Sequence, residues 1–75
     1  MPAEAMSRAC AGSPEAARHL EDTATKDTYA LVREAALKAL AACDLPRARE
    51  LAQRMVTGDP EPRVRDTARA IAGSR

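Results

Sequence analysis

The sequence predicts an all-α fold in which two helical hairpins follow a short N-terminal cap helix. Three observations point there. The stretch VREAALKAL, Val32 to Leu40, returns in altered form as RVRDTARAIA, Arg63 to Ala72. Apolar residues recur at helical spacing, with no period-two alternation that would indicate a strand. Alanine supplies most of the 45% hydrophobic content, and Tyr29 is the one aromatic residue. Alanine is the best helix former but buries little area. Such helices form readily and pack closely around a thin core. A 75-residue chain is one small domain, and a core of that size seldom yields more than about 3–5 kcal/mol.

The repeat sets the order of the elements. With a shift of 32 residues, Pro14 falls on Pro46, Ala16 on Ala48, Thr25 on Thr57 and Asp27 on Asp59. Val32 falls on Val64, Arg33 on Arg65, Ala36 on Ala68, and Leu40 on Ala72. The register runs without a gap from residue 14 to residue 72, and self-similarity at a fixed period marks a repeat architecture. Residues 1–12 are then a cap, residues 13–44 a first unit and residues 45–75 a second.

Residues 3–11 form the expected cap helix, with Met6, Ala9 and Cys10 facing inward. The first hairpin starts at Ser13-Pro14, since serine is a good N-cap and proline suits the first helical position. Its first helix runs to about Thr25 and its second from about Thr28 to Cys43, with Val32, Ala36, Ala39, Leu40 and Cys43 lining one side. In the second unit the first helix runs from about Pro46 to Val56. There Ala48, Leu51, Ala52, Met55 and Val56 make one apolar stripe. Gly58 suits a helix end and Asp59-Pro60 a new start. The last helix, from about Pro62 to Ala72, carries Val64, Ala68, Ile71 and Ala72 on one side. The first unit is the weaker copy, because His19 and Thr23 occupy the stripe positions of Leu51 and Met55.

Helical pairs of this length, with Asp27 and Asp59 in the inter-helix turns and Val32-Arg33 and Val64-Arg65 shortly after, resemble the HEAT repeat. Ala35-Ala36, Leu37 and Leu40, then Ala68 and Ile71, complete the likeness. The alanine-rich form is most similar to the short HEAT-like repeats named after the phycobilisome lyases. The resemblance implies a right-handed α–α superhelix. It also implies that Asp27 with Arg33, and Asp59 with Arg65, act as structural ladder residues between neighbouring repeats. The physical chemistry is consistent with that role: an aspartate favours a helix N-terminus, and a guanidinium binds a carboxylate in two-pronged fashion. Two units leave two apolar ends. The cap helix covers one, and a second copy, a partner or nothing covers the other.

Composition excludes several function classes. The net charge is +1, against a strongly basic polyanion binder. Residues 1–44 carry five Lys/Arg and seven Asp/Glu, and residues 45–75 carry seven Arg and four acids. That asymmetry reads as solvated charge. No apolar run reaches the roughly 20 residues needed to cross a bilayer, and no signal peptide is visible. Cys10 and Cys43 lie far apart without a CxxC pattern. They are expected to be small buried hydrophobes in a reducing compartment, and the protein is expected to be cytoplasmic.

No enzyme signature emerges. His19 is the only histidine and has no nucleophile near it in sequence. His19, Cys10 and Cys43 would make three zinc ligands where a structural site wants four. Ser13 is a cap, and GDPEP lacks the lysine of a phosphate loop. No cofactor is expected.

The expected function is a non-enzymatic protein-binding or scaffold module. It would use Arg33, Lys38, Arg65 and Arg69 on a concave face, or an apolar C-terminal end at Val64 and Ile71. A homodimer is one way to close that end. Two alternatives stand beside it. The same arginines could bind nucleic acid, although the chain lacks the aromatics that stack on bases. An accessory role beside a lyase or another enzyme follows from the resemblance alone.

Overall fold

Ser13 caps the first helix of the computed structural model, which describes residues 13–74. The cap helix expected over residues 3–11 lies outside that range. Four α-helices follow: α1 (Pro14–Lys26), α2 (Ala30–Cys43), α3 (Leu45–Gly58) and α4 (Pro62–Ala72). Among the described residues there is no strand, and the fold is all-helical.

Local chemistry sets the helix boundaries. The Ser13 hydroxyl accepts from the Ala16 amide at 3.2 Å, with Pro14 at the first position and Glu15 in the first turn. Asp44 does the same for α3, accepting from the Arg47 amide at 3.3 Å, so one residue ends α2 and begins α3. α2 starts at Ala30, two residues later than the periodicity suggests. The Asp27 carboxylate accepts from the Tyr29 amide at 2.9 Å and holds residues 27–29 in a turn. Asp59 repeats that arrangement on the Glu61 amide, also at 2.9 Å.

α1 packs on α2 and α3 packs on α4, giving two hairpins. α2 is the central element, because it also packs against both α3 and α4. The core follows from that position: Leu37 and Leu40 on α2 are fully buried together with Leu20, Ala24, Ala48, Ala52, Val64 and Ala68. Small alanines let the helices approach closely, and a few leucines fill the joint.

Three expectations need correction. Val32 is not part of the core: it is 40% exposed, whereas Val64, its equivalent, is fully buried. The difference is one of position, since Val64 packs into the joint between the hairpins and Val32 lies on the outer side of the first. The inward face of α1 is Ala17, Leu20 and Ala24, and His19 is exposed. α1 packs chiefly on α2 and only slightly on α3, so its buried stripe is narrower than that of α3 and rotated away from His19. Cys43 is not a thiol but is disulfide-bonded, which removes the ground for expecting a reducing compartment. The chain's other cysteine, Cys10, lies outside the described residues. No helix among the described residues is long and apolar enough to cross a membrane.

Candidate functional site

Two polar clusters, each built around a buried carboxylate, join the hairpins. In the first, Arg33 on α2 donates from Nε to Asp59 Oδ2 at 2.8 Å and from Nη2 to Asp59 Oδ1 at 3.1 Å. Its Nη1 donates to the backbone carbonyls of Asp27 at 2.8 Å and Thr28 at 3.3 Å. One side chain therefore ties its own turn to the turn of the next hairpin. Burial alone would push the Asp59 carboxyl up. The hydrogen bonds from Arg33 and the Glu61 amide, with the charges of Arg33 and Arg65, outweigh burial and hold it below its usual range. The Asp59 hydrogen bond also raises Arg33 against the opposing effect of burial.

The aspartate and arginine of one unit thus meet through the backbone: Arg33 reaches the Asp27 carbonyl, and Arg65 donates to the Asp59 carbonyl at 2.9 Å. The carboxylate contact crosses to the neighbouring unit. A largely buried ion pair of this kind is geometrically demanding, and the two-pronged fit plus the extra carbonyl bonds satisfy donors that burial removes from water.

The second cluster centres on Glu34, which the sequence reading did not single out. Its carboxylate is buried and accepts from the Thr67 hydroxyl and from Arg63 Nε at 2.9 Å, with Lys38 Nζ 3.7 Å away. The Thr67 hydrogen bond is the main reason the Glu34 carboxyl lies below its ordinary value, ahead of Arg63 and Lys38 and in spite of burial. The available signal was a pair of polar residues, Arg63 and Thr67, one helical turn apart on the face that meets α2. No buried side-chain nitrogen or oxygen among the described residues lacks a hydrogen-bond partner.

These clusters change the reading of the cationic face. Arg33 is buried and its four hydrogen bonds go to Asp59, Asp27 and Thr28, so most of its donor capacity is used within the domain. Lys38 is exposed but near Glu34, and Arg69 is exposed but bonded to Asp66 at 3.2 Å. Arg65 is half-buried against the Asp59 carbonyl. The four residues do not form one free basic surface. The apolar C-terminal end is also corrected: Val64 is fully buried and Ile71 is partly buried against the core. In the second unit the position of buried Leu37 is taken by exposed Arg69, and that of Glu34 by exposed Asp66. The outer side of the second hairpin is polar at these two positions.

Exposed apolar surface lies at the opposite end. Tyr29 is 72% exposed and Leu31 60%, beside the 40% of Val32. All three sit at the start of α2, next to Asp27. An open cleft of about 630 Å³ also separates the C-terminal halves of α1 and α3, with Leu51 and Met55 at its base and Asp22 and Arg54 among its lining. Thr25 in that cleft donates to the carbonyls of Glu21 and Asp22 in its own helix. Among the described residues, no group of three His, Cys, Asp or Glu is placed to hold a metal ion.

Comparison with known proteins returns no match to a family model, a curated protein or a solved structure.

Proposed function

We propose that the chain is a non-enzymatic protein-binding module of HEAT-like helical hairpins, and that it engages its partner at the start of α2. The observation that carries this reading is the exposure of Tyr29, Leu31 and Val32 as neighbours in a chain with very few large apolar residues. Clustered exposed apolar residues mark interaction surfaces, while single ones need no explanation. Tyrosine is also favoured at interface centres. The charges elsewhere are largely engaged within the domain, which supports a scaffold held by its own ion pairs.

The test is a photo-crosslinking residue placed at Tyr29 in the full chain within its native cells. The expected result is one discrete protein adduct that Leu31→Asp removes while leaving the circular dichroism spectrum and melt unchanged. A ladder of nonspecific adducts, insensitive to Leu31→Asp, would refute the reading. Nucleic-acid binding by the arginines is the weaker reading, because Arg33 is buried and Arg63 and Arg69 are paired with acids. It would be supported instead by affinity for duplex DNA that falls steeply with salt.

A further inference from the structure

We propose that Cys43 and Cys10 form a redox-sensitive staple, which a dithiol reductant opens to loosen the domain where α2 passes into α3. The staple lies at the opposite end of α2 from Tyr29 and Leu31, and it stands whether or not those residues bind a partner.

Cys43 is disulfide-bonded, and the sequence holds one other cysteine, Cys10. The topology puts Cys43 within reach of that residue. α1 and α2 pack together and are joined by the short turn at residues 27–29, so they run antiparallel. Counted outward from Thr28, Ser13 and Cys43 stand equally far along the two helices. Packed helices have axes about 8–10 Å apart, and the three residues from Ser13 back to Cys10 span at most about 10 Å. A disulfide needs α-carbons about 4.4–6.8 Å apart. A stretch of that length meets this spacing without disturbing either helix.

The position gives the bond its effect. Cys43 packs against the core one turn after Leu40, and Asp44, the next residue, ends α2 and caps α3. Arg47, which pairs with Asp44, also reaches Glu21 on α1 at 3.6 Å. The bond therefore closes a loop that contains all of α1 and α2, at the point where the two hairpins join. A cross-link over so long a loop removes much freedom from the unfolded chain. The domain has little else to rely on: among the described residues the large side chains that are fully buried are Leu20, Leu37, Leu40 and Val64.

Opening the staple is thiol–disulfide exchange. A thiolate of the dithiol attacks the Cys43 sulfur. The Cys10 sulfur leaves with the electron pair of the S–S bond and takes up a proton. The second thiol of the reductant then loses its proton and displaces Cys43 from the mixed disulfide. The products are two cysteine thiols and the oxidised, cyclic disulfide of the reductant. Cys43 is half-buried and not sealed in the core, so the attack has a route.

The test uses the full chain, with dithiothreitol as the dithiol. Tryptic digestion without reductant should release residues 9–18 joined to residues 39–47, from a monomer. Dithiothreitol should lower the melting temperature by roughly 10–20 °C, and reoxidation should restore it. Cys10→Ser changes no described residue; it should melt at the reduced value and ignore the reductant. Cys43→Ala should be equally insensitive to reductant. A disulfide-linked dimer that persists in Cys10→Ser overturns the pairing. A joined peptide pair in a chain whose melt ignores dithiothreitol overturns the switch.

Discussion

Arg33 and Asp59 lie 26 residues apart in the chain and face each other through two hydrogen bonds of 2.8 and 3.1 Å, both side chains buried. This pair, more than any single apolar contact, defines how the second hairpin sits on the first. An apolar joint made largely of alanine has little shape to prevent helices from sliding. A guanidinium that also holds the Asp27 and Thr28 carbonyls permits one register only.

Removing Arg33 leaves the buried Asp59 carboxylate without its two-pronged partner, with the Glu61 amide and the more distant charge of Arg65 to hold it. Arg33→Ala should therefore cost about 3–5 kcal/mol, comparable to the whole stability of a domain this size, and urea melts should find it largely unfolded. Asp59→Asn keeps the shape and some hydrogen bonds and should cost less. The double change Arg33→Met with Asp59→Leu should be less damaging than Arg33→Ala, since no lone charge remains. It should still fall short of the native chain because the Asp27 and Thr28 carbonyls lose their donor.

Acid should act through the same clusters. The Glu34 and Asp59 carboxyls both lie below their ordinary values in the folded chain. Between the folded and unfolded values the unfolded state binds more protons, so stability rises with pH there. The contribution is complete above the unfolded carboxyl values, near about pH 4.5, and is lost as pH falls through the lower folded ones. The urea midpoint should be flat from neutrality to about pH 5 and then fall. Glu34→Gln should start lower and descend less steeply. A midpoint that declined as the pH rose from 5 to 7 would contradict this assignment.

Much of this architecture was legible in the residues. The period of 32, the helix-start signals at Ser13 and Pro14, and the helical spacing of apolar positions place the hairpins. The residue types of the first cluster were legible too. Their pairing was not, because the reach of Arg33 to Asp59 depends on how hairpins stack, which a helical period does not encode. Val32 and Val64 show the same limit: identical residues in identical register differ in burial because one faces a neighbour. Nothing in the sequence distinguishes Glu34, because a glutamate beside an arginine on a helix reads as solvated charge, and only the meeting of α2 with α4 buries it.

Within the Glu34 cluster, Thr67 and Arg63 should contribute unequally. Arg63 is mostly exposed and solvent screens its charge, so a double-mutant cycle between Arg63 and Glu34 should give a coupling of about 0.5 kcal/mol. Thr67 donates to the buried carboxylate. Thr67→Val removes a hydrogen bond to a charged group and should cost about 1.5–3 kcal/mol in chemical denaturation. Equal losses for Arg63→Ala and Thr67→Val would mean that the ion pair and not the hydroxyl holds Glu34.

The two valines offer the sharpest comparison, because the repeat makes each the control for the other. Val64→Ala opens a space in the joint between the hairpins and should cost about 2 kcal/mol. Val32→Ala removes the same atoms from a partly exposed position and should change stability by less than about 0.5 kcal/mol. Parallel urea melts of the two variants at one protein concentration measure the difference directly. The sign of a departure is informative. If Val32→Ala proved as costly as Val64→Ala, the outer side of the first hairpin would already be covered in solution, and the start of α2 would not be open to a partner. If Val32→Ala raised the melting temperature or cured self-association, the exposed apolar residues at the start of α2 would be a stability cost that the chain carries for binding.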